Sequence, residues 1–257
     1  MPTLQSAGAR IHYEVVGHGP PIVLVHGFAL SFDANWRETG WVDFLVDAGR
    51  EVVGIDCRGH GKSDKPHDPA AYSGNQMPDD VVAVMDTLDL QHADIMGYSM
   101  GGWIMLNLLL RHGSRFTSAV AGGAGLRSRA FDPVLRAAVA AALETDDPLS
   151  IVDGTARSMR RLAESGGNDL RALAAMQHAE RTPPDDAALK QLNLPMLVVV
   201  GDQDPVLNSA HQLALTVPNA ELAVVPGADH LGAIAAPDYK RAVAEFLGQA
   251  RQSQSGG

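Results

Sequence analysis

Short strand-like segments alternate with longer helical segments along most of the chain, and few folds accommodate that order. Seven short runs are rich in apolar residues and end at or near Gly, Asp or Pro. These runs are Ile11–Val16, Ile22–Val25, Glu51–Ile55, Ala93–Met96, Ser118–Ala121, Met196–Val200 and Glu221–Val225. Strands that alternate with helices predict a mainly parallel sheet with helices on both faces.

The first two runs predict how the sheet begins. Ile11–Val16 alternates apolar with polar residues, and the turn Gly17–Pro21 separates it from Ile22–Val25. We therefore expect a hairpin at the start of the sheet. The second run is continuously apolar, which is typical of a strand that is buried on both faces.

The alternation stops between residues 124 and 190, where the sequence has helical patterns and no strand-like run. One helical face is formed by Phe131, Leu135, Val139 and Leu143. We therefore expect a helical insertion at 124–190 between the two parts of the sheet core, residues 1–123 and 191–250. Two interpretations stay open, namely a lid over the site and a helical layer that packs on the sheet.

The composition excludes several classes of protein. Twenty Lys and Arg stand against 30 Asp and Glu, so the net charge is −10 and the pI is near 5.4. This balance repels polyphosphates, and nucleic acid is not an expected partner. The single cysteine, Cys57, cannot close an internal disulfide or build a thiolate metal cluster. The fold must therefore depend on packing, and 46% apolar residues are ample for a core.

The ends of the chain predict no targeting or membrane segment. Residues 1–10 lack a basic region followed by an apolar one, and the longest apolar runs are far below the ~18 residues of a membrane span. We therefore expect a cytoplasmic protein that does not bind membranes. Residues 251–257 are polar and end in Gly-Gly, which predicts a disordered tail.

The strongest chemical signal is the segment Gly97-Tyr98-Ser99-Met100-Gly101. It directly follows the predicted strand Ala93–Met96 and directly precedes a helical pattern at 103–110. A strand, a tight turn and a helix in this order hold a serine hydroxyl up into a cleft. Small glycine residues are needed there because side chains would collide with neighbouring backbone. We predict that Ser99 is a nucleophile.

A serine nucleophile needs a base at neutral pH, and ten histidines compete for that role. His230 is the preferred candidate because it follows the last predicted strand and precedes the final helix. This position agrees with the chain order serine, acid, histidine. We interpret His26, at the end of an early strand, as an anchoring hydrogen-bond partner. The histidines assigned to surface or capping positions are His12, His18, His92 and His112.

The base needs a carboxylate that orients it, and two candidates follow the predicted strand Met196–Val200. Asp204 is preferred, because Pro205 fixes the turn and the longer reach lets the carboxylate approach His230. Asp202 remains an alternative, because the length of the loop does not decide between them.

Two backbone N–H groups are candidates for binding a negatively charged oxygen. The N–H of Met100 lies at the positive end of a predicted helix. A second donor is expected after the strand Ile22–Val25, where Gly27 permits close approach and Phe28 offers its N–H. Together the two groups would form an oxyanion hole.

The insertion contributes candidate pocket residues. Apolar candidates for contact with a substrate are Trp103, Met159, Leu162, Leu173 and Met176, although core packing is the alternative for each. Acidic residues are interspersed among the arginines of the insertion, which predicts a solvated face of mixed charge. These arginines are Arg127, Arg129, Arg157, Arg160, Arg161, Arg171 and Arg181.

The motifs taken together resemble the α/β-hydrolase fold family over roughly residues 10–247. The resemblance is carried by His26–Phe28, Asp56–Ser63, Gly97–Gly102, Gly201–Asp204 and Asp229–His230. It implies an α/β fold with an eight-stranded, mostly parallel sheet, helices on both faces and an inserted helical cap. It also implies a catalytic triad of Ser99, Asp204 and His230, with Phe28 and Met100 as oxyanion donors. The turn Asp56–Ser63 resembles a structural motif of that family.

The sequence therefore predicts a serine hydrolase, without cofactor or metal, that acts on a small-molecule acyl substrate. The default reaction is cleavage of a small to medium carboxylic ester or lactone through an acyl-enzyme intermediate. Serine at the nucleophile position disfavours the branches of the family that use a carboxylate nucleophile. Three alternatives remain open, namely hydrolysis of a carbon–carbon bond, a perhydrolase or haloperoxidase reaction on the same triad, and a ligand sensor with slow turnover.

Overall fold

A computed structural model describes residues 2–126 and 131–255, with side chains up to residue 250. In these residues, eight strands form one sheet in the order β1-β2-β4-β3-β5-β6-β7-β8. The strands are β1 Thr3–Ser6, β2 Ala9–Gly17, β3 Pro21–Val25, β4 Glu51–Asp56, β5 Ala93–Tyr98, β6 Phe116–Gly122, β7 Met196–Gly201 and β8 Ala220–Val225. β1 and β2 pair in antiparallel fashion, β2 is antiparallel to β4, and every other pairing is parallel. The predicted fold class is confirmed.

The middle of the sheet is buried on both faces. Ile22, Val23, Leu24 and Val25 of β3 have no exposed surface. β3 lies between β4 and β5, and helices cover it from both sides, so the strand has no solvent face that would require polar residues. The continuous apolar run therefore predicted the environment of this strand correctly.

The hairpin at the start of the sheet differs from the prediction. β2 and β3 are not neighbours; β2 pairs instead with β1, through a turn at Ala7 and Gly8, and with β4. β1 has the sequence Thr-Leu-Gln-Ser and lies at the edge of the sheet, so it lacks the apolar run on which strand prediction depends. The turn Gly17–Pro21 carries the chain past β4 rather than back along β2.

Helices cover both faces of the sheet. In the described part of the chain they are α1 Trp41–Asp47, α2 Gln76–Thr87, α3 Met100–His112, α4 Pro133–Glu144, α5 Gly154–Ser165, α6 Leu170–His178, α7 Asp186–Leu189, α8 Leu207–Thr216, α9 Gly232–Ala235 and α10 Pro237–Ser255. One core cluster joins β-strand residues to Trp41 of α1 and Tyr239 of α10. The other joins the opposite face to Val81 of α2, Ile104 of α3 and Leu213 of α8.

The segment between β6 and β7 is helical, as predicted. In its described residues it contains α4, α5, α6 and α7 and no strand. α4 packs against both α5 and α6. Val139, Leu143 and Leu173 are buried where these helices meet and belong to the same core cluster as α3. The segment therefore shares a hydrophobic core with one face of the sheet.

The end of the chain differs from the predicted disordered tail. α10 continues through Ser255, so residues 251–255 are helical, and residues 256–257 lie outside the described part. Tyr239, Val243 and Phe246 anchor the first turns of α10 in the core. A helix that is already nucleated can extend through polar residues such as Gln249 and Gln252 at little cost in free energy. None of the described helices has both the length and the hydrophobicity required to cross a membrane.

Candidate active site

Ser99 occupies a strained turn between β5 and α3. Its φ of 53° and ψ of −109° are rare for a residue with a side chain. The Ser99 N–H donates to the Gly122 carbonyl at 2.8 Å, and the Ser99 carbonyl accepts from the Trp103 N–H at 3.2 Å. These two hydrogen bonds tie the turn to β6 and to the first turn of α3. The hydroxyl is therefore presented at the carboxyl end of the parallel strands.

The structure brings Ser99 and His230 together although 131 positions separate them in the chain. The Ser99 Oγ lies 2.9 Å from the His230 Nε2. His230 follows β8 and precedes α9, so its loop returns to the same end of the sheet. The Tyr98 hydroxyl donates to the backbone carbonyl of His230 and ties this loop to β5. Burial raises the pKa of Tyr98, so the phenol remains protonated and able to donate.

Asp204 orients the opposite edge of the imidazole. Its Oδ2 lies 2.7 Å from the His230 Nδ1, and its Oδ1 accepts from the Val206 N–H at 2.9 Å. The carboxylate side chain is fully buried. Asp202, the alternative acid from the same loop, is exposed and makes no such contact with His230 among the described residues.

The three side chains form one continuous line of hydrogen bonds. A carboxylate at Nδ1 favours the tautomer in which that nitrogen carries the proton, which leaves a lone pair on Nε2. The Ser99 hydroxyl then donates to Nε2. This arrangement can move the serine proton to the imidazole while the Asp204 carboxylate stabilises the resulting cation.

Phe28 and Met100, the predicted oxyanion donors, line the same cavity as Ser99. Met100 is the first residue of α3, where a backbone N–H has no partner within the helix. In the described part of the chain, no protein group accepts a hydrogen bond from the N–H of either residue.

A buried histidine anchors the loop that carries Phe28. The His26 Nε2 accepts from the Cys57 N–H at 3.0 Å, and the His26 Nδ1 lies 2.8 Å from the Gly27 carbonyl. Burial lowers the pKa of His26, so the ring stays neutral and can accept at one nitrogen while it donates at the other. The anchoring hydrogen bond predicted for His26 is therefore present. The Asn35 Oδ1 holds the Gly27 N–H at 2.8 Å and fixes the same loop.

The cavity around Ser99 has a volume of about 230 Å³. Two of the predicted substrate contacts, Trp103 and Met159, are part of its wall. The other three, Leu162, Leu173 and Met176, are not among the residues that form the wall. Leu173 and Met176 are almost fully buried in the core, and Leu162 packs against it, so for these three the alternative of core packing is correct.

The sequence did not predict the polar residues of the cavity wall that come from the insertion, namely Arg136, Thr155, Gln177 and Arg181. The prediction that the arginines of the insertion form a solvated face agrees with Arg161 and Arg171, which are exposed. It is wrong for Arg160, which is buried and donates to carbonyls at the end of α4, and for Arg181. Arginine buries its long stem and satisfies several carbonyls at once, which charge pattern alone does not reveal. Arg127 and Arg129 lie outside the described residues.

No group of three His, Cys, Asp or Glu side chains in the described residues is arranged to share a metal ion. The remaining candidate histidines are spread over other places. His12 is buried and pairs with Asp56 rather than lying at the surface, while His178 is exposed and contacts Glu144. Thus His230 is the histidine that the structure places beside Ser99.

Comparison with known proteins agrees with this architecture. The non-heme chloroperoxidase CPO-A1 of Kitasatospora aureofaciens is 28% identical, with 93% of this chain and 96% of that protein aligned. The non-heme haloperoxidase of Rhodococcus erythropolis is 30% identical, with 88% and 90% aligned. The meta-cleavage product hydrolase CumD of Pseudomonas fluorescens IP01 superposes with a TM-score of 0.75 at 26% identity, over 97% of this chain and 98% of its own.

The family model for the alpha/beta hydrolase fold matches residues 20–185, which include β3, the Ser99 turn and most of the insertion. These three relatives are two haloperoxidases and one hydrolase by name. The sheet order, the turn that carries Ser99 and these comparisons lead to one conclusion. The chain is an enzyme that belongs to the alpha/beta hydrolase fold family.

Proposed function

We propose that this enzyme is a serine hydrolase that cleaves small to medium carboxylic esters or lactones through an acyl-enzyme intermediate. The observation that carries the proposal is the hydrogen-bonded line from Ser99 through His230 to Asp204 at the wall of the cavity. Each member has the partner that its role requires, and among the described residues of the cavity wall Ser99 is the one hydroxyl that lies beside an imidazole.

In the first half-reaction, the Ser99 Oγ attacks the ester carbonyl while the His230 Nε2 takes its proton. The carbonyl oxygen becomes an oxyanion, which accepts hydrogen bonds from the N–H groups of Phe28 and Met100. The imidazolium then protonates the departing alkoxide, the carbon–oxygen bond breaks, and an alcohol leaves. Asp204 stabilises the imidazolium throughout.

In the second half-reaction, water attacks the acyl-enzyme. His230 removes one proton from the water and returns it to the Ser99 oxygen as the carbon–oxygen bond to serine breaks. The products are a carboxylic acid and the free enzyme, so no cofactor or redox partner is consumed. We propose that the insertion acts as a cap in both steps, because its residues Leu135, Val139 and Met159 form part of the cavity wall.

A second candidate is peracid formation on the same residues. It is favoured by the similarity to the two haloperoxidases, which extends over most of this chain. In this reaction hydrogen peroxide replaces water in the second half-reaction and releases a peracid and the free serine. Hydrolysis and peracid formation share the acyl-enzyme, so the ratio of the two products at a fixed peroxide concentration separates them.

The test is the rate of p-nitrophenyl acetate hydrolysis by the Ser99→Ala variant. We expect the activity to fall to background while the circular dichroism spectrum remains that of the wild-type enzyme. Activity that persists in the folded variant would contradict the mechanism. Negligible turnover by the wild-type enzyme across a panel of short-chain esters and lactones would instead favour a ligand sensor.

A further inference from the structure

Two arginines of the insertion share the cavity with Ser99. Arg136 comes from α4 and Arg181 from the segment that follows α6, and both belong to the cavity wall. They come from different elements, so two separate parts of the insertion each bring an arginine to the cavity wall. The mechanism proposed above uses neither of them.

Arg136 is held in place by backbone carbonyls rather than by a carboxylate. Its guanidinium donates to the carbonyls of Gln177 and Ala179, at the end of α6. Its Nε is buried and has no hydrogen-bond acceptor among the described residues. Partial burial of the guanidinium lowers the pKa of Arg136. Neutral carbonyls fix the position of the guanidinium but do not cancel its charge.

Arg181 lies against an aromatic ring in the same wall. Its Cζ is 5.5 Å from the centre of the Trp103 ring, and its Nη2 donates to the Met176 carbonyl at 3.1 Å. Burial and the charge of Arg136 lower the pKa of Arg181 to about 9, so the guanidinium is still protonated at pH 7. The two arginines therefore bring two positive charges to the wall of the same cavity.

The cavity wall carries several side-chain hydrogen-bond donors, among them Arg136, Arg181 and Trp103. Among the described residues of the wall, the one carboxylate is that of Asp204, which already accepts from His230 and from Val206. Trp103 adds an indole N–H that is buried without an acceptor among the described residues. Buried indole N–H groups ordinarily have a partner. A ligand that brings oxygen acceptors and negative charge would complement this wall.

We propose that the preferred substrates are esters or lactones that carry a free carboxylate, which Arg136 and Arg181 bind while the Ser99 oxygen attacks the ester carbonyl. This inference rests on the proposed hydrolase function. Guanidinium groups match the planar, bidentate geometry of a carboxylate, and they bind it best where water is excluded. The small volume of the cavity favours short dicarboxylic monoesters over long acyl chains.

The experiment compares monomethyl with dimethyl esters of succinic, glutaric and adipic acid, with release of methanol as the readout. Each pair differs in a carboxylate and in little else. We expect kcat/KM to be at least about tenfold higher for one or more monomethyl esters, after correction for the two equivalent groups of the diester. Arg181→Met and Arg136→Met should each lower the ratio of kcat/KM for the monomethyl ester to kcat/KM for the dimethyl ester by about tenfold.

Arg171→Met is the matched control, because Arg171 belongs to the same insertion, is exposed and is absent from the cavity wall. It should leave the preference unchanged. A wild-type enzyme that prefers the diesters, or an Arg181→Met enzyme with an unaltered preference, would overturn the proposal. If Arg136→Met does not fold, Arg136→Lys replaces it; this variant keeps the positive charge and should retain part of the preference for the monomethyl esters. Complete loss of that preference in Arg181→Met would support the carboxylate site without any result from Arg136→Met.

A binding measurement separates failure of this inference from failure of the proposed function. Glutarate should raise the Tm of the Ser99→Ala variant, and adding Arg181→Met to that variant should abolish the shift, whereas adding Arg171→Met should not. A shift that survives Arg181→Met would overturn the carboxylate site. Ester hydrolysis that persists in Ser99→Ala would contradict the hydrolase mechanism and leave the binding result interpretable.

Discussion

His230 is held from three sides, and each contact has a separate consequence. Ser99 lies at its Nε2, Asp204 at its Nδ1, and the Tyr98 hydroxyl at its backbone carbonyl. The first two contacts set the direction in which a proton can move. The third fixes the loop on which the imidazole is carried. These contacts support predictions for single side chains.

The Asp204→Asn substitution should lower kcat for ester hydrolysis by about 10³–10⁴-fold, because an amide no longer favours the tautomer that leaves Nε2 free to accept. The matched substitution is Asp202→Asn, since Asp202 lies in the same loop and is exposed. It should leave kcat within about twofold of the wild type, as is usual for surface changes. Steady-state kinetics measure both effects, and the reverse order would reassign the acid.

The Tyr98→Phe substitution should lower kcat by about tenfold with little change in KM. It removes one hydrogen bond to the His230 carbonyl and leaves that carbonyl without its buried donor. Tyr239→Phe is the control, because the Tyr239 ring lies next to the Tyr98 ring. The Tyr239 hydroxyl is also buried, but it has no hydrogen-bond partner among the described residues. The control enzyme should keep wild-type kinetics. Equal losses in the two variants would indicate a packing effect instead of positioning.

The residue types and their order in the chain were sufficient to select three distant side chains that the structure brings together. The longer reach of the loop at Asp204 favours that residue over Asp202 as the acid. The 2.7 Å distance between the Asp204 Oδ2 and the His230 Nδ1 agrees with this choice. The wall of the cavity was harder to predict. Leu173 lies in the core, and its apolar character alone does not distinguish a core position from a position in a cavity wall. Arg181 lies in the cavity wall, and its charge alone predicts an exposed position instead.

At the level of elements, the junction of β5, the Ser99 turn and α3 depends on close backbone approach. A Cβ on Gly101 would lie 2.0 Å from the Val25 carbonyl oxygen of β3. No flexible side chain can move aside there, because the obstacle is backbone. The first turn of α3 can therefore approach β3 only if residue 101 is glycine.

The Gly101→Ala substitution should lower the free energy of unfolding by at least about 2 kcal/mol, because the added methyl group forces α3 away from the sheet. Gly113→Ala, at the other end of the same helix, provides the comparison. Its added Cβ meets no atom within 4 Å, and its φ of −54° suits alanine. Urea denaturation should show an unchanged or slightly higher stability for this control. Similar stability of both variants would refute the steric argument.

Strand prediction succeeded where a strand is buried and failed where it is not. β7 is buried throughout and β3 is buried from Ile22 onward, so their hydrophobic runs identified them. β1 is short, polar and on the edge, and backbone hydrogen bonds to β2 hold it instead of side-chain burial. Sheet order is also absent from local patterns, which is why β2 was paired with the wrong neighbour.

At the level of the whole molecule, the insertion contacts the sheet core near the loop that carries Phe28. The Asn168 Nδ2 donates to the Ala29 carbonyl at 2.9 Å, across 139 positions of the chain. Ala29 has a φ of 59°, a strained value for alanine, and directly follows Phe28. The insertion therefore helps to hold the backbone that offers one of the two proposed oxyanion donors.

The Asn168→Ala substitution should lower kcat/KM by about three- to tenfold, because the Phe28 N–H is held less firmly in its orientation. Ser73→Ala is the comparison, since it removes a different hydrogen bond between core and insertion, the one from the Glu180 N–H at 3.2 Å. That variant should keep wild-type kinetics. If both variants lose activity equally, general loosening of the insertion is the cause, and the specific role of Asn168 is wrong.

The alternation of strands and helices correctly predicted the fold class, and the segment between β6 and β7 contains helices and no strand in its described residues. The alternation could not predict which space the insertion encloses. The cavity wall combines residues from the Phe28 loop, α3, α4, α5 and the loop after β7, so it exists only after long-range packing. The chemistry of the substrate depends on that wall, and short motifs therefore indicate the reaction more clearly than the ligand.

The central claim is that His230 activates Ser99 as a nucleophile, and covalent labelling with a fluorophosphonate tests it most directly. Mass spectrometry of the digested protein should locate one adduct on Ser99, and labelling should be absent in Ser99→Ala and at least about 100-fold slower in His230→Ala. An adduct on another residue, or an unchanged rate of labelling in His230→Ala, would contradict the account.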